Sequence, residues 1–128
     1  MKVFAMNELI GTWKLTSFTL TKEGVTNPWR DEVTGTLIYT EDGGMSVAMN
    51  SKLHSGDSLF DSILFYSGAW SSEKSIDGRA KVHHHIENAT DLTNIGKTLT
   101  RNVSLIKDDL ELSAEGDYGR ASVTWRRR

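Results

Sequence analysis

The sequence predicts an all-β protein: eight antiparallel strands that close into an up-and-down barrel. Segments rich in β-branched and aromatic residues recur along the 128 residues, and most are joined by turn-length connections. Strands joined in this way are antiparallel, and eight of them can close around one small ligand. An open sandwich is the competing architecture, but the chain has few of the long crossovers that a Greek key needs. Because no internal linker or repeat interrupts the pattern, we expect residues 1–128 to form a single domain.

The order of the strands follows from the turn signals between them. Asn27-Pro28 holds the only proline and predicts a loop after the first strand. The Asp42-Gly43 step predicts a tight hairpin, and Asp108-Asp109 predicts a second one. The eight predicted strands cover residues 9–21, 35–40, 45–50, 65–73, 80–87, 98–107, 110–115 and 120–127.

One segment departs from the strand pattern. Asp57 or Ser58 can cap a helix, and the apolar residues that follow have helical spacing. These apolar residues are Leu59, Phe60, Ile63 and Leu64. We therefore expect one short helix over residues 57–64.

Composition removes several classes of function. The balance of 15 basic and 17 acidic residues gives a formal charge of −2, so nothing favours nucleic acid or an anionic membrane surface. The chain has no cysteine, which excludes disulfides, zinc–thiolate sites and cysteine nucleophiles.

No stretch approaches 18 apolar residues, so membrane insertion is not expected. Residues 1–10 lack the apolar core of a secretory signal, and the cytoplasm is the expected location. Gly43-Gly44 lacks the context of a phosphate loop, and no cofactor is expected.

Three consecutive histidines lie in the predicted strand 80–87. Successive strand side chains point to opposite faces, so His83, His84 and His85 cannot act as one cluster. His84 shares a face with Val82 and Ile86 and is predicted to point inward. His83 and His85 are predicted to point outward.

The outward pair has the His-x-His spacing of metal ligands. Glu87 extends the same face, and His54 lies in a loop region. Zinc requires three or four ligands with supporting neighbours, and the sequence does not predict that arrangement. We therefore expect a solvated outer face and no native metal site.

A charged residue occurs among the inward positions of a second strand. Leu99, Val103 and Leu105 share a face of the predicted strand 98–107, and Arg101 lies among them. A buried guanidinium is costly unless a partner compensates it. If the hairpin is symmetric about residues 88–97, Arg101 lies opposite His84 with Cβ atoms about 5 Å apart.

This pair suggests three roles. The arginine and burial both disfavour protonation of His84, while the guanidinium offers several donors to a carboxylate, enolate or carbonyl oxygen. The pair can therefore hold an oxygen-bearing ligand in an apolar pocket. It can also act in catalysis, with His84 as general base and Arg101 as oxyanion stabiliser. The structural alternative is a filled barrel in which both residues bond to Glu87, Tyr66 or the backbone.

Several sequence blocks, in series, resemble the lipocalin-like domain family of small bacterial and fungal proteins, whose fold is a calycin-type barrel. The blocks are Gly11-x-Trp13, residues 37–47, Tyr66-x-Gly68-x-Trp70, residues 84–87, Asn94-x-Gly96 and Arg101. The resemblance covers roughly residues 9–125 and implies a cavity that binds an apolar or amphipathic small molecule. Relatives among lipocalin-like barrels also act as cyclases or isomerases in secondary metabolism.

The residues predicted to form the site follow from these arguments. The predicted ligand-binding residues are His84, Arg101, Tyr39, Met45, Val47, Met49, Tyr66 and Trp70. Methionine suits an adaptable wall, although Met45, Val47 and Met49 suit an ordinary core equally well. The resemblance implies that Gly11, Trp13 and an arginine of the last strand close the barrel, with Arg126, or else Arg120, over the indole.

Three hypotheses for function remain open. The first is a binding protein for a small hydrophobic or amphipathic molecule. The second is a small-molecule isomerase or cyclase, and the third is a structural module with a filled barrel. A closed barrel leaves no sheet edge that requires a partner, so either a monomer or a homodimer is expected.

Overall fold

Nine antiparallel strands account for most of the chain that the structure describes. The structure is a computed structural model that describes residues 6–29, 32–51, 63–74, 79–117 and 119–128. The strands are β1 (Gly11–Lys22), β2 (Val25–Pro28), β3 (Val33–Tyr39), β4 (Gly44–Ser51), β5 (Ile63–Lys74), β6 (Ala80–Ala89), β7 (Thr98–Ile106), β8 (Asp109–Gly116) and β9 (Gly119–Arg127). Short 3₁₀ helices occur at Met6–Leu9 and Leu92–Asn94. None of the helices in these ranges is long and apolar enough to cross a membrane.

Pairing of the first and last strands closes the barrel. Consecutive strands from β3 to β9 pair with one another, and β1 pairs with both β3 and β9. The predicted eight-stranded up-and-down barrel is therefore confirmed. The ninth strand is β2, which forms a hairpin with the end of β1 where the sequence predicted only a loop. Pro28 is tolerated there because β2 is an edge strand.

The edge of β1 is shared between two partners. Its first residues pair with β3 as far as Lys14↔Thr36. A bulge between Leu15 and Ser17 then shifts its register with β9, and such bulges bend a strand. The end of β1 pairs with β2 instead, beginning at Thr19↔Pro28. Within the described residues, the β1–β3 ladder therefore covers only one end of the barrel.

The predicted helix over residues 57–64 is not supported where the structure describes it. Residues 57–62 lie outside the described ranges. Ile63 and Leu64 form the start of β5, where they pair with Asn50 and Met49 of β4. Leu64 packs against the core while Ile63 is exposed. This two-residue alternation is that of a strand, and a short apolar run of this kind has spacing that fits either a helix or a strand.

A glycine permits close approach of β5 and β6. The register between these strands shifts at Ser67/Gly68. A Cβ atom on Gly68 would lie 1.9 Å from the backbone oxygen of His85, a distance that no side chain can occupy. The bulge therefore requires glycine in the Tyr66-x-Gly68-x-Trp70 block.

One end of the barrel is filled by side chains. Trp13, Leu9, Leu37 and Leu110 have no exposed surface, and Trp125 is 1% exposed. The indole nitrogen of Trp13 donates to the Leu9 carbonyl oxygen at 2.9 Å. The 3₁₀ helix that precedes β1 is thereby held against this end, which we call the packed end.

Arg127, rather than the predicted Arg126, covers Trp13. Its guanidinium carbon lies 4.2 Å from the centroid of the indole, and Arg127 pairs directly with Trp13 across β1 and β9. Strand alternation gives the reason, because residues 125 and 127 share the inward face. Arg126 points outward, where its Nε lies 3.3 Å from Oδ1 of Asp109. Arg120 also points outward and pairs with Glu111.

Gly11 completes this closure. Its φ of +136° lies in a region that favours glycine, and a Cβ atom there would lie 3.0 Å from Nη1 of Arg127. The same Nη1 donates to the carbonyl oxygen of Ile10 at 3.0 Å, and Nη2 donates to that of Glu8. A single guanidinium therefore joins the last strand to the start of the first.

We expect Arg127→Ala to lower the free energy of unfolding by about 2 kcal/mol, since it removes a cation–π contact and hydrogen bonds to two backbone oxygens. Arg126→Ala is the matched control. It removes an exposed ion pair and should lower the free energy of unfolding by less than about 0.5 kcal/mol. Urea denaturation of both variants measures the difference, and equal losses would contradict this account of the packed end.

Candidate functional site

A cavity of about 560 Å³ occupies the end of the barrel away from Trp13. This volume falls within the usual range for small-molecule sites. The cavity is lined by Phe18, Trp29, Met49, Ile63, Leu64, Phe65, Tyr66, Thr90, Asp91, Asn94, Leu99, Arg101, Ala121 and Val123. Most of this wall is apolar. Arg101 contributes a positive charge to it, and Asp91, whose Oδ1 accepts hydrogen bonds from Thr93, contributes a negative one.

Three of the eight predicted ligand-binding residues line the cavity. They are Met49, Tyr66 and Arg101. The other five, His84, Tyr39, Met45, Val47 and Trp70, belong to or border the packed interior. Trp70, for example, packs against Tyr39 with a ring-centroid distance of 4.8 Å and a tilt of 46°, and donates its indole N–H to the Thr40 carbonyl oxygen.

His84 joins the packed interior to the cavity wall. It is 1% exposed, as strand alternation predicted. Its Nε2 lies 2.6 Å from the hydroxyl oxygen of Tyr39, and its Nδ1 lies 2.8 Å from that of Tyr66. Both ring nitrogens are therefore occupied. Of these three residues, only Tyr66 lines the cavity.

Burial keeps this group of residues uncharged. Loss of solvation, followed by the positive charge of Arg101 and smaller effects of His85 and His83, lowers the pKa of His84 to about 3. Burial also raises the pKa of Tyr66 to about 12, with Arg101 partly opposing the shift. The pKa of Tyr39 is raised well above its usual value, mainly by burial. At neutral pH the imidazole and both hydroxyls are neutral.

Arg101 points inward as predicted, but the predicted register is wrong by two residues. Arg101 pairs with Val82, and His84 pairs with Leu99. The connection is not symmetric, because it contains the 3₁₀ helix Leu92–Asn94 and Gly96 N–H donates back to the Ile86 carbonyl oxygen at 2.8 Å. The sequence shows the strands on either side but not how the connection folds.

Among the described residues, the charge of Arg101 has no acidic partner. Its Nη1 donates to the carbonyl oxygen of Thr100 at 3.1 Å. In the part of the chain that the structure describes, no carboxylate forms an ion pair with it. The remaining guanidinium donors are available to a molecule in the cavity.

The outer histidines bond to the strands beside them. His83 bonds through Nδ1 to Thr100 at 2.8 Å and through Nε2 to the Glu73 carboxylate at 3.3 Å. His85 bonds through Nδ1 to Thr98 at 2.9 Å and through Nε2 to Ser71 at 3.2 Å. These bonds form two rows across β5, β6 and β7. They occupy the ring nitrogens that a metal would need.

No group of three or more metal-binding side chains is arranged to hold an ion within the described ranges. Glu87 is exposed on the outer face. His54, the remaining candidate ligand, lies outside the described residues.

Phe18 and Trp29 form a part of the cavity wall that the sequence did not reveal. Their rings stack at a centroid distance of 4.9 Å with an angle of 12°. The backbone N–H of Trp29 donates to the Phe18 carbonyl oxygen at 2.9 Å. Trp29 follows β2, which was predicted as loop, so no periodicity pointed to it. Val123, in contrast, could have been found from the alternation of the last strand.

Comparison with known families supports the fold. Residues 10–56 match the family model described as a lipocalin-like domain. This segment includes β1 to β4 and contains Gly11, Trp13 and the methionine face of β4. For these residues, the match confirms the family resemblance inferred from the sequence. No curated protein matches the chain.

The low pKa of His84 predicts a loss of stability in acid. The unfolded chain takes up a proton at this residue below about pH 6.5, whereas the folded chain does not until about pH 3. The stabilisation is therefore fully present above pH 6.5 and is lost as the pH falls. We expect the free energy of unfolding to fall by about 2 kcal/mol between pH 7 and pH 5 because of His84 alone.

Urea denaturation of the wild type and His84→Gln at both pH values isolates the effect, because glutamine can bond to both tyrosines but does not titrate in this range. His85→Gln on the outer face is the control, and its free energy of unfolding should change between the two pH values as that of the wild type does. If His84→Gln loses as much stability as the wild type, His84 is not the group responsible.

Proposed function

We propose that this lipocalin-like barrel binds a small apolar or amphipathic molecule, and that Arg101 and Tyr66 hold an oxygen of that molecule. Lipocalin-like barrels in general bind small hydrophobic ligands. The observation that carries the more specific proposal is a guanidinium on the cavity wall with no acidic partner in the described residues. A ligand oxygen would compensate this charge.

The apolar wall supports the first half of the proposal. Phe18, Met49, Leu64, Leu99 and Val123 surround the cavity. Transfer of a hydrocarbon chain from water to such a surface contributes about 0.8 kcal/mol per CH₂ group. A ligand with about ten carbon atoms therefore gains enough to offset the loss of its freedom on binding.

The arrangement around His84 changes the role first predicted for it. Both nitrogens already bond to tyrosine hydroxyls, so a ligand would meet Tyr66 and Arg101 rather than the imidazole. His84 supports the proposal by fixing the position of the Tyr66 hydroxyl.

This geometry favours binding over the two alternatives. An isomerase or cyclase with His84 as general base requires that residue within hydrogen-bond reach of the substrate, and the side chain of Tyr66 occupies Nδ1 instead. A filled barrel is difficult to reconcile with a cavity of about 560 Å³.

The cavity can be tested with a neutral fluorescent probe, N-phenyl-1-naphthylamine. We expect binding with a Kd in the micromolar range and at least about tenfold weaker binding after Leu99→Trp, which places a bulkier side chain inside the cavity. Ile106→Trp, on the exposed outer side of the same strand, is the control and should bind as the wild type does. Probe binding that is absent, or equally strong in both variants, would argue against a ligand cavity.

The oxygen-binding role of Arg101 can be tested by displacing this probe with decanoate. Hydrogen bonds to charged groups contribute about 1.5–3 kcal/mol, so Arg101→Met should weaken decanoate binding by about tenfold or more. Arg126→Met removes an arginine from the outer surface and should leave decanoate binding unchanged. Of the four tryptophans, Trp29 alone lines the cavity, and its fluorescence gives a second readout. Equal decanoate affinities in the two variants would remove Arg101 from the site.

A further inference from the structure

The hydrogen-bond directions around His84 determine what Tyr66 offers to a ligand. Tyr39 bonds to Nε2 and Tyr66 bonds to Nδ1. A neutral imidazole has one N–H donor and one acceptor nitrogen, and each hydroxyl has a single hydrogen. One tyrosine must therefore donate to the ring while the other accepts from it. Only two arrangements satisfy both bonds.

Burial distinguishes the two arrangements. If Nε2–H donates to Tyr39, the hydroxyl hydrogen of Tyr39 needs another acceptor. Tyr39 is 1% exposed, and among the described residues its hydroxyl bonds to His84 only. That hydrogen would then be buried and unpaired, which is unfavourable. The favoured arrangement has Tyr39 donating to Nε2 and Nδ1–H donating to Tyr66.

This arrangement makes Tyr66 a donor toward the cavity. Its oxygen accepts the hydrogen bond from His84, so its own hydrogen is available to a ligand in the cavity that it lines. Arg101 lines the same cavity and has donors but no acceptor. The two residues therefore present hydrogen-bond donors and one positive charge.

We propose that the ligand carries a carboxylate, or another oxyanion with a single negative charge, bound by Arg101 and Tyr66. An oxyanion accepts from both donors and compensates the charge. An alcohol oxygen can accept from the same donors but leaves the charge uncompensated. A protonated amine offers only donors and is repelled. This inference deepens the proposed function and rests on it.

The test compares three head groups on one decyl chain. Decanoate, 1-decanol and decylamine are used to displace N-phenyl-1-naphthylamine from the full chain at about pH 7.5, where the acid and the amine are both charged. We expect decanoate to bind about 30-fold more tightly than decanol, and decylamine to bind most weakly. Equal binding of decanoate and decanol would overturn this inference while leaving the proposed function intact. Failure of the neutral probe and all three compounds to bind would overturn the proposed function itself.

The donor direction can be measured without a ligand. The ¹⁵N chemical shifts of the His84 ring report which nitrogen carries the proton. We expect the proton on Nδ1, with Nε2 as the acceptor from Tyr39. A proton on Nε2 would overturn the inference, because Tyr66 would then donate to His84 rather than to the ligand.

Two substitutions test whether the hydroxyls act together. Tyr66→Phe removes a donor and should reduce the preference for decanoate over decanol about fivefold. Tyr39→Phe should also reduce this preference, although Tyr39 does not line the cavity, because it removes the bond that fixes the His84 tautomer. Tyr39 is thus a positioning residue.

Leu37→Met, a volume-conserving change in the packed end, is the control and should keep the preference. If Tyr39→Phe acted only by disturbing the structure, it would weaken the binding of all three compounds together and leave the ratio of decanoate affinity to decanol affinity unchanged. That result would overturn the role of Tyr39 as a positioning residue.

Discussion

The hydrogen bonds between His84 and two tyrosine hydroxyls connect the two halves of this barrel. Tyr39 belongs to the filled half, with Trp13 and Trp125, while Tyr66 lies on the wall of the cavity. A buried imidazole would be unfavourable without partners on both nitrogens. The Tyr39 hydroxyl is itself buried and needs the imidazole, while Tyr66 is partly buried and lines the cavity. Removing any one of the three leaves a polar group unpaired in the interior, so their positions depend on one another.

The bonded group of His84, Tyr39 and Tyr66 marks the boundary between a densely packed half of the barrel and a half that holds a cavity. The filled half is closed by Trp13 and Arg127, which join the first and last strands. The hollow half has a mostly apolar wall, on which Arg101 forms no ion pair with a described carboxylate and Asp91 bonds to Thr93 instead. The imidazole that separates the halves is held neutral by burial and by Arg101. His84 therefore adds no positive charge beside that of Arg101.

Strand alternation predicted the fold and the facing of the central residues. The period of two residues placed His84 and Arg101 inside the barrel, and it placed His83 and His85 outside. The face of each side chain follows from which alternate positions of the strand are apolar, and these can be read from the sequence. The errors arose where an answer depended on three-dimensional pairing. The 3₁₀ helix Leu92–Asn94 changed the register of His84 and Arg101. The choice of Arg126 was a different error, because it came from the family resemblance and did not follow the alternation that places Arg127 inward with Trp125. Trp29 reaches the cavity only because β2 folds back on β1, and nothing in the local sequence indicated that pairing.

The divided edge of β1 has a consequence for the local stability of the barrel. The β1–β3 ladder ends at Lys14↔Thr36, and the later part of β1 pairs with β2 instead. At the cavity end the boundary between β1 and β3 is therefore a seam without ladder hydrogen bonds in the described residues. Separation along a seam of this kind exposes little unpaired backbone, so it costs less free energy than opening a continuous sheet. Separation of β1 from β3 at this end of the barrel is therefore expected before any loss of the β1–β3 ladder at the packed end.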